Sequence, residues 1–317
     1  MRRLSLIAIA ALLVAGCSGP SAPERPTPTS SPPSPSASPG AEVVGKRPRG
    51  RLDTLTVSSP ALGRRALVWV LKPRGWTAGS TGWPVLYLLH PCCGPENGWL
   101  VNGGVERLTA RLKAVVIMPE ADRMGWYSDW KDGPAWETFH LTELRGLLEP
   151  RYGATGRRAV AGASMGGFGA MSYAARHPGL FAAAASFSGV LDTTLDRAGF
   201  GEFLSAGGAD PDRLWGDDWA AHNPKDLAAR LKGVALFVSG GDGRPGPLDR
   251  KGASSRGDAE AAVTAQSRSF ARAAASAGAR LRTDFYGRGR HTWPYWSRGL
   301  ARALPILFPG AVRTGPR

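Results

Sequence analysis

Gly162-Ala163-Ser164-Met165-Gly166 sets one hydroxyl between two glycines, where the apolar run Ala159-Val160-Ala161 gives way to the small-residue helical pattern Gly167-Phe168-Gly169-Ala170. A strand, a sharp turn and a helix are what a G-x-S-x-G nucleophile elbow requires. The glycines are needed because the serine sits on a strained backbone that neighbouring side chains crowd, and the result is an exposed hydroxyl at the mouth of a sheet. With 42 glycines in the chain the bare pattern also fits a tight strand-to-helix turn. Its flanks make Ser164 the candidate nucleophile. A serine hydroxyl needs a base to take its proton, so a histidine must be found.

In this arrangement the partners follow the nucleophile in the order serine, acid, histidine. Of the five histidines, His90 and His140 precede Ser164, His177 stands before a proline where it reads as a helix cap, and His222 lies in a polar, Trp-rich excursion. His291 remains, in Gly289-Arg290-His291-Thr292-Trp293-Pro294, and is the candidate base. The acid is open among Asp242, Asp249, Asp258, Glu260 and Asp284. Position directly after a predicted strand favours Asp242, and Glu260 at the start of the next helix stays open. Trp126, Trp130, Trp215 and Trp219 are candidates to line an acyl or glycan groove, or to pack at loop bases.

The elements that must position these residues alternate. Leu67–Leu71, Val85–Leu89, Ala114–Met118, Leu180–Phe187, Val234–Val238 and Leu281–Tyr286 are predicted strands. Apolar residues recur at helical spacing between Trp136 and Tyr152, and Ala259–Ala277 is a further predicted helix. Near-continuous apolar strands alternating with helices predict an α/β fold with a mostly parallel central sheet and helices on both faces, its ligand at the carboxyl ends of the strands.

Ahead of this machinery, Met1-Arg2-Arg3 precedes an apolar run from Leu4 to Ala15 and then Gly16-Cys17. A basic head, a short apolar core and small residues predict a secretory signal over residues 1–16, too short to span a bilayer as a stable helix. Val14-Ala15-Gly16-Cys17 resembles a bacterial lipobox, which implies a lipid anchor on Cys17. Residues 17–50, dominated by Pro, Ser, Thr and Ala, are expected to form a disordered tether. The expected globular domain covers 51–310, with a tail over 311–317, in an extracytoplasmic protein that is membrane-anchored or secreted.

Loss of the two arginines in residues 1–16 lowers the formal charge from +15 to +13. Outside the cell, so basic a chain is expected to attract anionic envelope polymers or lipid head groups. No basic helix with interleaved aromatics supports nucleic-acid binding. Cys92 and Cys93 are adjacent and are either free thiols or a vicinal disulfide. No spaced Cys/His cluster suggests a metal, and no cofactor is expected.

Several spaced motifs in order resemble the esterase D superfamily of α/β hydrolases, and within it the antigen 85 mycolyltransferases. They are Leu86-Tyr87-Leu88-Leu89, Tyr127-Ser128-Asp129-Trp130, Trp136-Glu137-Thr138-Phe139, the elbow with Ser164-Met165, Leu214-Trp215-Gly216, Asn223-Pro224 and His291-Thr292-Trp293-Pro294-Tyr295-Trp296. The resemblance covers most of residues 51–310 and implies the α/β-hydrolase fold. It moves the acid from Asp242 to Glu260, because matching Phe270 to a family phenylalanine sets Glu260 on the family's glutamate. It also implies an oxyanion hole built from the N–H groups of Met165 and Cys92. The implied chemistry is two-step acyl transfer: Ser164 attacks an ester carbonyl, His291 shuttles the proton, Glu260 orients the ring, and water or a sugar or glycerol hydroxyl resolves the acyl-enzyme. His90 replaces the aspartate that follows the strand in the transferases, and Pro91-Cys92-Cys93-Gly94 replaces their arginine-bearing loop. A non-catalytic envelope-binding lipoprotein on the same fold is the contrasting reading.

Overall fold

The computed structural model describes residues 40–249 and 257–310. The expected signal segment, the lipidation residue Cys17 and the tail over 311–317 lie outside them. Nine strands form one sheet: β1 (Glu42–Arg49), β2 (Leu52–Ser59), β3 (Arg64–Leu71), β4 (Trp83–Leu89), β5 (Val115–Pro119), β6 (Ala154–Ala163), β7 (Ala183–Phe187), β8 (Ala235–Gly240) and β9 (Arg280–Phe285). Their spatial order is β1-β2-β3-β5-β4-β6-β7-β8-β9. The first three strands and the β3–β5 pairing are antiparallel, and every pairing from β5 through β4 to β9 is parallel.

The parallel strands read as unbroken apolar runs because both faces are covered. In β4, Val85, Tyr87 and Leu89 enter one core cluster while Leu86 and Leu88 enter the other. Each fully buried Leu or Val contributes about 1.5–3 kcal/mol of transfer free energy. The helices that supply the covering layers are α1 (Gly98–Val101), α2 (Val105–Leu108), α3 (Trp136–Thr138), α4 (Arg145–Arg151), α5 (Met165–Arg176), α6 (Arg197–Ala206), α7 (Pro211–Leu214), α8 (Trp219–His222), α9 (Gly257–Ser276) and α10 (Trp293–Leu307). The helix predicted from Trp136 to Tyr152 is present, but Phe139–Leu144 between α3 and α4 is wound as a π-helix.

One boundary is corrected. Residues 17–50 were expected to be a tether with the domain starting at Arg51, yet Glu42–Arg49 is β1, in register with β2 from Glu42↔Ser58 to Arg49↔Leu52. Its side chains are mostly exposed, so it lacks the apolar alternation that announces a strand. Backbone pairing, the left-handed Gly50 at the turn (φ 58°) and an ion pair from Lys46 Nζ to the buried Asp53 (2.9 Å) hold it instead.

Candidate active site

The elbow is built by contact between backbones. Ser164 has φ 54° and ψ −117° at the N-cap of α5, and its N–H donates to Phe187 O at 2.9 Å. A Cβ on Gly162 would strike the backbone of Gly166, and one on Gly166 would strike the carbonyls of Leu89 and His90. The two glycines therefore let the strand, the turn and the loop after β4 close around one hydroxyl. Such a strained non-glycine conformation costs about 1–3 kcal/mol and persists because this packing over-determines it.

From Ser164 the chain of bonds runs outward across the sheet. Its Oγ lies 3.0 Å from His291 Nε2, and His291 Nδ1 lies 2.7 Å from Glu260 Oε2. An ionised carboxylate only accepts, so Nδ1 carries the proton, and Nε2 presents a lone pair to the serine hydroxyl. Glu260 is fully buried in the first turn of α9, where the helix dipole favours a negative charge. Its other oxygen, Oε1, accepts from Gly241 N–H (2.6 Å), Ser188 Oγ (2.9 Å) and the Tyr286 hydroxyl (3.3 Å). Burial, reinforced by the Glu260 charge, pushes the Tyr286 phenol well up, so it remains a donor. Sequence reading missed these supports. Ser188 has φ 48° just after β7, Gly241 follows β8 and Tyr286 follows β9, all at the carboxyl ends where strand ends converge on a site.

Asp242 is placed elsewhere. Its carboxylate is taken by Arg244, at 2.9 Å from Nε and 2.9 Å from the backbone N–H, and that guanidinium holds the carboxyl below its ordinary range. Its own N–H donates to Gly287 O at 2.7 Å, and Gly243 N–H donates to Gly289 O at 3.0 Å, which stitches the loop after β8 to the loop after β9. Asp249 faces Tyr295 OH at 3.1 Å, and Asp284 pairs with Arg302 at 2.5 Å. Asp258 is exposed in the first turn of α9.

The remaining histidines are engaged structurally. Ala121 N–H donates to His90 Nε2 at 2.9 Å, which leaves Nδ1 to donate to Pro91 O at 2.8 Å. His140 bonds Glu120 O and Tyr173 OH, each at 2.8 Å, and burial lowers it to about 3. His177 caps α5 and meets Glu137 at 2.5 Å. His222 stacks on Trp215, and burial lowers it to about 4.

Beside Ser164 and His291 opens a cavity of about 600 Å³. Val190, Phe200, Phe203 and Val263 make much of its apolar wall, and Cys92 and Trp126 line it together with Ser164. Trp130 and Trp215 are not among its lining residues. Trp130 donates to Gly125 O (3.1 Å), and the buried Trp215 donates to Ser128 Oγ (3.1 Å) and packs against Phe168 and Phe200, as loop-base aromatics do. Gly167 and Phe168 donate to Ser164 O at 2.9 and 3.1 Å, whereas the N–H groups of Met165 and Cys92 have no hydrogen-bond partner among the described residues. Cys92 and Cys93 are joined to each other as a vicinal disulfide.

Among the described residues no group of three or more His, Cys, Asp or Glu side chains is arranged to hold a metal ion. No helix among them is long and apolar enough to cross a membrane.

A family model described as "Putative esterase" matches residues 59–307. The chain belongs to this esterase family. The esterase-family chain is 31% identical over 288 residues to a diacylglycerol acyltransferase/mycolyltransferase, Ag85B, of Mycobacterium intracellulare, a match covering 82% of this chain and 84% of that protein. It is 40% identical over 138 residues to an esterase of Mycobacterium tuberculosis, covering 41% of this chain and 30% of the length of that relative. Among solved structures it resembles MPT51 (FbpC1) of Mycobacterium tuberculosis, with a TM-score of 0.71, 27% identity, and coverage of 84% of this chain and 100% of that one. The antigen 85-like resemblance and the α/β-hydrolase fold expected from sequence both stand.

Proposed function

We propose that this chain is a serine esterase or acyltransferase that acts on carboxylic esters through an acyl-enzyme on Ser164. The observation that supports it best is the continuous line Ser164–His291–Glu260 at the edge of an apolar cavity. In this reading Ser164 attacks the ester carbonyl as Nε2 takes its proton. The imidazolium, stabilised by Glu260, then returns that proton to the departing alcohol. The unpartnered N–H groups of Met165 and Cys92 receive the charge that develops on the carbonyl oxygen, an effect worth roughly 3–4 kcal/mol per donor. The N-terminal end of α5 adds its dipole to the same spot.

The narrower form is acyl transfer to a sugar or glycerol hydroxyl, favoured by the similarity to a protein named as a diacylglycerol acyltransferase/mycolyltransferase. The replaced loop over Pro91-Cys92-Cys93-Gly94 argues for hydrolysis of a broader set of esters. An activated p-nitrophenyl ester and a phosphonate probe test the common core: a burst and labelling of Ser164 are expected, and the absence of both leaves the non-catalytic reading. Adding glycerol or a disaccharide separates the two forms, since product ester formed faster than free acid sinks the pure hydrolase. The workplace proposed is the outer face of a membrane, reached through a lipid on Cys17. Cys17→Ser should then move the protein out of the membrane fraction, and unchanged fractionation would refute the anchor.

A further inference from the structure

The loop that leaves β4 is held at several of its polar atoms. Trp99 Nε1 donates to Leu89 O (2.8 Å), the Tyr127 hydroxyl to His90 O (2.9 Å), His90 Nδ1 to Pro91 O (2.8 Å) and Cys93 N–H to Arg123 O (3.3 Å). The N–H of Cys92 stands among them with no partner among the described residues, on a residue that lines the cavity with Ser164 and His291. That N–H is therefore open to donate to a group that enters the cavity.

The peptide that carries this N–H is held at its carbonyl by His90 Nδ1, and the Cα of Cys92 is tied to the next residue. The Cys92–Cys93 disulfide closes a small ring through the peptide between them, and Cys93 sits at φ 67°, a left-handed conformation that a residue with a Cβ seldom adopts. The ring ties the conformation of Cys93 to that of Cys92. Once the ring is open, Cys93 is free to relax toward negative φ and carry Cys92 with it. The anchors at Leu89, His90 and Pro91 stay, so the change is local to Cys92 and Cys93, which line the cavity. A misplacement of this kind is what a preorganised donor cannot tolerate.

We propose that the Cys92–Cys93 disulfide is a positioning element for the Cys92 N–H, so that ring opening by a thiol reductant switches catalysis down while the domain stays folded. The proposal rests on the reading of Cys92 as an oxyanion donor. The step is thiol–disulfide exchange: a dithiol gives up two electrons and two protons, the S–S bond breaks, both cysteines become thiols, and the dithiol closes into its own cyclic disulfide. Reoxidation by a small-molecule disulfide reverses it.

The test uses the full chain, a p-nitrophenyl ester and dithiothreitol. Thiol titration should rise by two as kcat falls at least ~10-fold, with KM within about 3-fold and near-ultraviolet circular dichroism unchanged. Removing the reductant and adding an excess of a linear disulfide such as oxidised glutathione should restore kcat. Cys93→Ser, which has no ring to lose, should show the low kcat with and without reductant. Reduced wild type at full kcat with its thiols titrated, or Cys93→Ser at wild-type kcat, overturns the proposal. So does a loss carried by KM, or one that accompanies unfolding. Phosphonate labelling of Ser164 in the disulfide-bonded protein separates the two levels: labelling with redox-insensitive kcat sinks only the disulfide's role, while failure to label sinks the serine reading itself.

Discussion

Replacing Glu260 by Gln changes one atom, and the structure dictates its consequence. Three donors point at Oε1: Gly241 N–H, Ser188 Oγ and the Tyr286 hydroxyl. An amide at this position must turn its oxygen toward them, because an NH2 group there would face three hydrogens. Its NH2 is then aimed at His291 Nδ1, now 2.7 Å from Oε2. Nδ1 must become the acceptor, the ring proton moves to Nε2, and Nε2 presents a hydrogen to Ser164 in place of a lone pair. The base is present, correctly placed and in the wrong tautomer. Loss of the right tautomer in a serine triad costs about 10⁴ in kcat, or about 5.5 kcal/mol of transition-state stabilisation. Because Gln keeps the volume and the bonds at Oε1, the fold and KM should change little. Burst kinetics with an activated ester, run beside Asp242→Asn, measure the effect directly. Asp242→Asn should stay within about 3-fold of wild type, since its carboxylate serves Arg244. A Glu260→Gln variant retaining a tenth of wild-type kcat, or an equal collapse in Asp242→Asn, refutes the reasoning.

Ser188→Ala and Tyr286→Phe each remove one donor from Oε1 and should lower kcat about 3- to 30-fold, the double variant more than either; steady-state kinetics showing no loss in the double variant would count against a positioning role. Ala262→Trp fills part of the cavity from α9, so kcat/KM for an octanoyl ester should drop at least ~10-fold while the acetyl ester is spared, and a parallel drop in both would remove the acyl-pocket reading. His140, buried and lowered from 6.5 to about 3, is neutral when folded. Its contribution to stability is full above pH 6.5, begins to fall as the unfolded chain takes up a proton below that value, and is spent near the folded value. Between pH 6.5 and 5 this one group should add about 1.4 kcal/mol per pH unit to the slope of unfolding free energy, about 2 kcal/mol in all. Urea titrations of wild type and His140→Asn should differ by that slope, and equal slopes would contradict it.

The parallel half of the sheet was legible because its strands are buried on both faces and spell continuous apolar runs, as Val85–Leu89 and Val115–Pro119 do. The elbow was legible because two glycines must be there for backbones to touch. β1 was not, because its order comes from backbone pairing on an edge rich in basic side chains. Proximity to a strand end pointed to Asp242, but direction decided otherwise: that side chain turns outward to Arg244, while Glu260 comes in from α9 over the site. Spacing holds no record of such direction, and only comparison with a family moved the choice. The cavity walls were illegible for a related reason. Val190 from the loop after β7, Phe200 from α6 and Val263 from α9 share no local pattern.

The serine and its partners are seated at different depths of the same sheet. Ser164 springs from β6, flanked by β4 and β7, whereas His291 follows β9, the outermost strand, whose residues are largely exposed or half-buried. Opening free energies in a folded domain run from near zero at thinly packed margins to the global value at the centre. The relay therefore joins a nucleophile set in the most protected layer to a base carried by a margin. Hydrolysis should fade at urea concentrations where β6 amides still resist exchange, because fraying of β9 alone parts His291 from the hydroxyl it serves.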